Sequence, residues 1–114
     1  MAVKKKIVKI FPVPKEDRRE DYWKFLNNVI DPELGIGIID LGLVYDVKIE
    51  DSVATVTMTF TSMACPMGPS ILGRVRQEME QYPGVEDVVI NVVWEPVWTR
   101  EFIDPDIRTL IFNQ

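Results

Sequence analysis

The 114-residue chain has no histidine and a single cysteine. The first absence excludes Ser–His and Cys–His nucleophile pairs and any His-containing zinc site built within one chain. The second excludes an intramolecular disulfide. Cations are scarce relative to anions, 13 Lys and Arg against 18 Asp and Glu, and the formal charge of −5 argues against sequence-independent binding to nucleic-acid backbones. The basic island Lys4-Lys5-Lys6 with Lys9 is short and terminal, and reads as a solvated tail. No apolar run approaches the length that spans a bilayer, and Ile7-Val8 is too short for the apolar region of a secretory leader. A reducing, cytoplasmic setting is therefore expected, with neither nucleic acid nor membrane as partner. What is present, 46% hydrophobic and 27% charged residues, is the composition of an ordinary globular domain long enough to bury a core.

The lone cysteine lies in the run Thr59-Phe60-Thr61-Ser62-Met63-Ala64-Cys65-Pro66-Met67-Gly68. Threonine and aromatic residues suit a strand, and proline suits the first position of a helix, where its missing N–H has no partner anyway. Cys65 is thereby expected at a helix N-cap, where free N–H groups and the dipole favour an anion. An ordinary thiol is only about 3% ionised at pH 7, and a helix N-terminus raises that fraction. Since the thiolate is both the nucleophile and the metal ligand, the placement points to chemistry; a buried, merely structural cysteine is the competing reading.

Around this run the spacing predicts helix, hairpin, helix, strand and short helix. Residues 1–14 form a tail or an added edge strand, stopping at Pro12 and Pro14, and residues 15–114 form one domain. A helix from Lys15 carries Tyr22, Phe25, Leu26, Val29 and Ile30 on one face, and Asp31-Pro32 ends it. The apolar loop 31–42 follows, with three glycines. Leu43, Tyr45, Val47 and Ile49 alternate along one strand and Ala54, Val56, Met58 and Phe60 along the next, turning at Glu50-Asp51-Ser52. The helix after Cys65 presents Ile71, Leu72, Val75, Met79 and Tyr82 and stops at Pro83-Gly84. Arg74 and Arg76 read as its solvent-exposed charges. The third strand alternates Val88, Ile90, Val92 and Trp94 against Val89, Asn91 and Val93, and is expected beside the first. A final helix begins at Asp104-Pro105 and presents Ile107, Leu110 and Ile111. The fold class is α+β: a small two-layer sandwich with helices on one face of a three- or four-stranded mixed sheet, its strand–helix–strand unit a crossover.

Five motifs in this order resemble the small iron–sulfur assembly accessory proteins, the SufT/PaaD-like family that includes the cytosolic iron–sulfur targeting factors. They are Asp31-Pro32-Glu33; Ile39-Asp40-Leu41-Gly42-Leu43-Val44; Thr59-Phe60-Thr61 with Cys65-Pro66; Pro83-Gly84-Val85; and Pro96-Val97-Trp98-Thr99. The resemblance spans residues from about 18 to 112 and implies the iron–sulfur assembly fold. It also implies a non-enzymatic role in maturing iron–sulfur proteins, carrying or targeting clusters to client apoproteins, with Cys65 as the functional thiol and metal ligand. The implied partners are the assembly machinery (a scaffold or a P-loop ATPase carrier) and the clients themselves. The cargo is an iron–sulfur cluster or iron, held transiently and shared with a partner or across a homodimer, because clusters are normally held by four protein ligands and one chain offers one thiolate.

Further candidates surround the thiol. Asp31, Glu33 and Asp40 are set to converge near it as oxygen ligands for iron, against a plain role in turn and cap. Thr59 and Thr61 are set on one side of a strand, able to hydrogen-bond a ligand, against simple strand preference. Trp98 is a candidate lid, against an ordinary packing role. The alternative to a carrier is an interaction module in which loop 34–43 and Trp98 dock a partner and Cys65 only packs. A thiol-dependent enzyme is a minor reading, since no histidine supplies a base.

Overall fold

The structure is a computed structural model describing residues 12–61 and 68–112. The lysine island and the Cys65-Pro66 cap lie outside these residues. Strands β3 (Val44–Glu50), β4 (Val53–Met58) and β5 (Asp87–Val92) form a mixed sheet in the order β3-β4-β5. β3 and β4 are an antiparallel hairpin, and β5 is parallel to β4, reached through helix α2 (Gly68–Glu80). The third strand therefore lies beside the second strand of the hairpin, not the first. The outer side of β3 instead meets the chain at Val13, whose N–H donates to the Tyr45 carbonyl at 3.0 Å.

Register explains the two layers. The in-register sets Val47–Val56–Ile90 and Ile49–Ala54–Val88 share one face, covered by Ile71, Val75 and Met79 of α2 and by Trp23 and Leu26 of α1 (Tyr22–Leu26). The alternate set, including Lys48–Thr55–Val89 and Thr57–Asn91, faces away from this core. A register shift between Val44 and Asp46 breaks the simple alternation expected along β3. Leu43, Val44 and Tyr45 are all buried there. Tyr45 meets Phe102 edge-on at 5.8 Å and donates its hydroxyl to the Pro96 carbonyl at 2.7 Å, across a cis Glu95-Pro96 bond.

The first helix is much shorter than its periodicity suggests. A 3₁₀ turn occupies Lys15–Asp17, α1 covers only Tyr22–Leu26, and Ile30 belongs to a small hairpin of β1 (Ile30–Asp31) and β2 (Ile36–Gly37). Val29 keeps its place in the core from outside the helix, whereas Ile30 is exposed and the anchor is Trp23, at 4% exposure. Asparagines 27 and 28 end the helix, in keeping with a residue type whose side chain competes for backbone groups. At the other end, Asp104 caps α3 (Pro105–Phe112) by accepting from the Asp106 N–H at 2.9 Å. Ile107 packs on the core, but Leu110 is 72% exposed instead of buried.

The β3–β4 hairpin turns through Asp51 and Ser52, with φ of 51° and 67°. Both central residues are left-handed, as a two-residue primed turn requires. Ser52→Gly is expected to raise stability by roughly 1 kcal/mol, because glycine adopts this conformation without a Cβ penalty. The Ser52 carbonyl, which accepts from Glu86 and Asp87, is retained in the variant. An unchanged or lowered urea midpoint would contradict this account of the turn.

Candidate functional site

Loop 38–43 is fixed from two sides. Asn27, one residue beyond α1, accepts the N–H groups of Ile39 and Asp40 on Oδ1 (3.1 and 3.0 Å), and its Nδ2 donates to Asp40 Oδ2 at 3.0 Å. From the C-terminal side the Asp104 N–H donates to the Asp40 carbonyl at 2.8 Å, and Trp98 Nε1 donates to the Leu41 carbonyl at 2.8 Å. Asp40 is thus a crosslinked loop residue rather than a helix cap, and the Trp98 indole N–H is committed to the same loop. Asn27 is a site-shaping residue the sequence reading overlooked; its only signal was its position at a helix end, where side chains reach neighbouring amides. Asp40, Arg18, Lys24 and Trp23 also line a groove of about 310 Å³. Arg18 lies over the Trp23 ring at 5.4 Å there, and burial pulls its guanidinium below its ordinary pKa.

Asp104 connects this region to the N-terminal side through an ion pair with Lys15 at 2.5 Å, its own side chain 8% exposed. Burial alone raises the Asp104 pKa. The Lys15 ammonium and the N–H groups of Asp106 and Ile107 outweigh that, leaving the carboxyl below its ordinary 3.8. A group depressed in the folded state stabilises above its unfolded pKa and loses that contribution as pH falls through the folded value. Asp104→Ala is therefore expected to lower stability by about 1 kcal/mol at neutral pH. The gap to wild type should close as pH drops below 3.8; a gap independent of pH would remove the charge from the explanation.

Asp31 and Glu33 belong to the β1–β2 hairpin. Asp31 is buried and its Oδ1 accepts from the N–H groups of Glu33 and Leu34 at 2.8 and 3.2 Å, closing the turn that Pro32 begins. Glu33 is exposed. Among the described residues, no three His, Cys, Asp or Glu side chains gather as a metal-holding group, and Asp31, Glu33 and Asp40 do not form one.

The segment carrying Cys65 lies outside the described residues, but both of its ends are defined. β4 ends at Met58, before Thr59 and Thr61, so regular strand alternation does not reach the two hydroxyls. Thr59 is buried, its N–H donating to the Leu43 carbonyl at 2.8 Å, while Thr61 is exposed. Parallel register pairs Met58 with Val92, which brings Trp94 beside Phe60, ring centroids 6.2 Å apart. Gly68 at the start of α2 also approaches that ring, from which an added Cβ would stand 3.5 Å away. The aromatic beside the departure and return of the cysteine segment is therefore Trp94, 37% exposed, while Trp98 is tied to the Leu41 carbonyl. Extending the β4–β5 register by two residues would have found it.

The model of the family described as "Iron-sulfur cluster assembly protein" matches residues 19–92. The chain belongs to this family. It is of the SufT/PaaD-like kind. It is 51% identical over 76 residues to the Fe-S protein maturation auxiliary factor SufT of Staphylococcus aureus, covering 66% of this chain and 86% of that one. It is 45% identical over 87 residues to the Fe-S protein maturation auxiliary factor YitW of Bacillus subtilis, covering 75% and 85%. An iron-sulfur cluster carrier protein of Deinococcus radiodurans matches 58% of this chain at 38% identity, over 19% of its own length. Among solved structures, a DUF59 domain from Bacillus anthracis superposes with a TM-score of 0.72 at 40% identity, covering 77% of this chain and 84% of that one. The small α+β assembly fold expected from the motifs is the fold observed. Among the described residues, no helix is long and apolar enough to cross a membrane.

Proposed function

We propose that this chain is a non-enzymatic accessory factor in iron–sulfur protein maturation that carries or targets clusters to client apoproteins in the cytoplasm through the Cys65 thiol. The coarse role follows the relatives, which are named as maturation auxiliary factors and as a cluster carrier. The observation that carries the finer reading is the position of the chain's only cysteine. It lies in the β4–α2 connection, whose ends are set against Phe60 with the half-exposed Trp94 ring alongside. The cluster is cargo, not a resident group. With one thiolate per chain, further ligands come from a scaffold, a P-loop ATPase carrier, the client, or a second copy. Thr61, exposed at the edge of the segment, is the hydroxyl we assign to hydrogen-bond what the thiol holds. Asp31, Asp40 and Trp98 support the reading indirectly, by fixing the backbone of the motifs that precede and follow β3–β5.

The test is anaerobic reconstitution with ferrous iron and sulfide, comparing wild type with Cys65→Ala by visible absorbance and metal content. A chromophore lost in the variant is expected. Equal iron in both proteins, or in neither, would overturn the thiol's role as a ligand.

A further inference from the structure

The outer edge of β5 has an arrangement of backbone and side chains that matches itself. The Asp87 N–H donates to Ser52 and the Val93 N–H to Met58, so residues 87, 89, 91 and 93 direct their backbone groups into the sheet. By alternation, Val88, Ile90 and Val92 direct theirs outward. The Val88 groups are already engaged: its N–H donates to the Asp87 carboxylate at 2.9 Å, and its carbonyl accepts from Arg76 Nη1 at 2.8 Å. Arg76 is thus a guard on the strand edge, not simply a solvated charge of α2. Among the described residues no other chain segment pairs with Ile90 or Val92 on this side. Exposed edges are normally blunted by charge or proline. Here Val88-Val89-Ile90-Asn91-Val92-Val93-Trp94 has neither.

We infer that β5 is a self-association edge whose partner is β5 of a second copy, antiparallel about a two-fold axis at Ile90, with Arg76 limiting the pairing. The pattern commits the edge to this occupant. The outward residues 88, 90 and 92 are symmetric about Ile90. Opposing them places Ile90 on Ile90 and Val88 on Val92, all β-branched and all on the face that α2 covers. In the same register Asp87 falls opposite Val93, Glu86 opposite Trp94 and Glu95 opposite Val85, so no like charges meet. With Arg76 in place only the Ile90 pair forms freely; its departure frees the Val88 carbonyl for the Val92 N–H. Antiparallel pairing also puts the two β4–α2 connections at opposite ends of a six-stranded sheet.

Sedimentation equilibrium of the full chain, reduced and without iron, tests this. Wild type should associate weakly, and Arg76→Ala should lower the dimer dissociation constant by about tenfold, because the two-fold axis makes two Val92 N–H to Val88 carbonyl bonds available, each of modest net gain. Ile90→Pro removes an outward N–H together with a side chain packed against the core, and should abolish association in both backgrounds, with circular dichroism reporting the fold. An Arg76→Ala protein that associates no more than wild type overturns the inference. So does association that survives Ile90→Pro in a folded protein, since the copies would then meet elsewhere. None of these outcomes bears on iron binding by Cys65, so the two proposals stand or fall separately.

Discussion

Gly42→Ala is expected to destabilise the protein by about 4 kcal/mol or more, near the exceptional end for a single methyl group. Two effects add. Gly42 has φ of +73°, a conformation that disfavours any side chain by roughly 1–2 kcal/mol. Its Cβ position also lies 2.2 Å from the Phe102 carbonyl oxygen and 2.6 Å from the carbonyl carbon. Those atoms are backbone and cannot swing aside, so loop 38–43 or the 3₁₀ turn Arg100–Phe102 must move. Movement there strains the flanking bonds from Asp104 to Asp40 and from Trp98 to Leu41. Gly35→Ala is the internal control: φ is +69° and nothing lies within 4 Å of its Cβ. That variant should lose only the conformational part, roughly 1–2 kcal/mol. Urea titrations of the two proteins separate the effects; equal losses would mean that the close approach to Phe102 contributes nothing.

The same loop shows where sequence is informative and where it is not. Period-2 alternation in 53–58 and 87–92 and the 3.6-residue spacing of Ile71, Val75 and Met79 report local geometry directly, and these elements and their buried faces were legible. The Asp104 cap was legible for the same reason, being a local hydrogen bond. Which strand neighbours which was not, because pairing of β5 with β4 rather than β3 is decided by packing between distant segments. The first helix failed for a related reason. Apolar residues from Tyr22 to Ile30 fit a helical spacing, but Asn27 is drawn to the amides of Ile39 and Asp40, and Ile30-Asp31 pairs with Ile36-Gly37 instead. At the site, Asp31 was legible as a turn residue, since an Asp before Pro accepts from amides two and three residues on. The aromatic neighbour of Phe60 was not legible. Both Trp94 and Trp98 follow β5, and only the β4–β5 register shows that the nearer one meets Phe60.

Cys65→Ser is expected to leave folding intact while reducing client iron–sulfur enzyme activity, in cells lacking the wild-type copy, to the level of the deletion strain. Serine keeps the volume and N-cap capacity of cysteine but is a poor thiolate substitute, so the exchange separates chemistry from structure. The opposing account, in which the sulfur only packs, makes the reverse prediction. Burying a hydroxyl in place of a thiol would then lower stability by about 1–3 kcal/mol, while clients would be served by whatever variant still folds. Alkylation of the single thiol decides between them before any cell is grown, since no second cysteine confuses the readout. A thiol that is accessible and ionised reacts in the native protein at least as fast as in urea, whereas a packed one reacts more slowly. Fast native alkylation with a stable, inactive Cys65→Ser protein assigns the maturation role to the sulfur. Slow alkylation with an unstable but active variant would instead leave the fixed Asp40–Trp98 loop and the exposed Trp94 as the surfaces through which this fold acts on its partners.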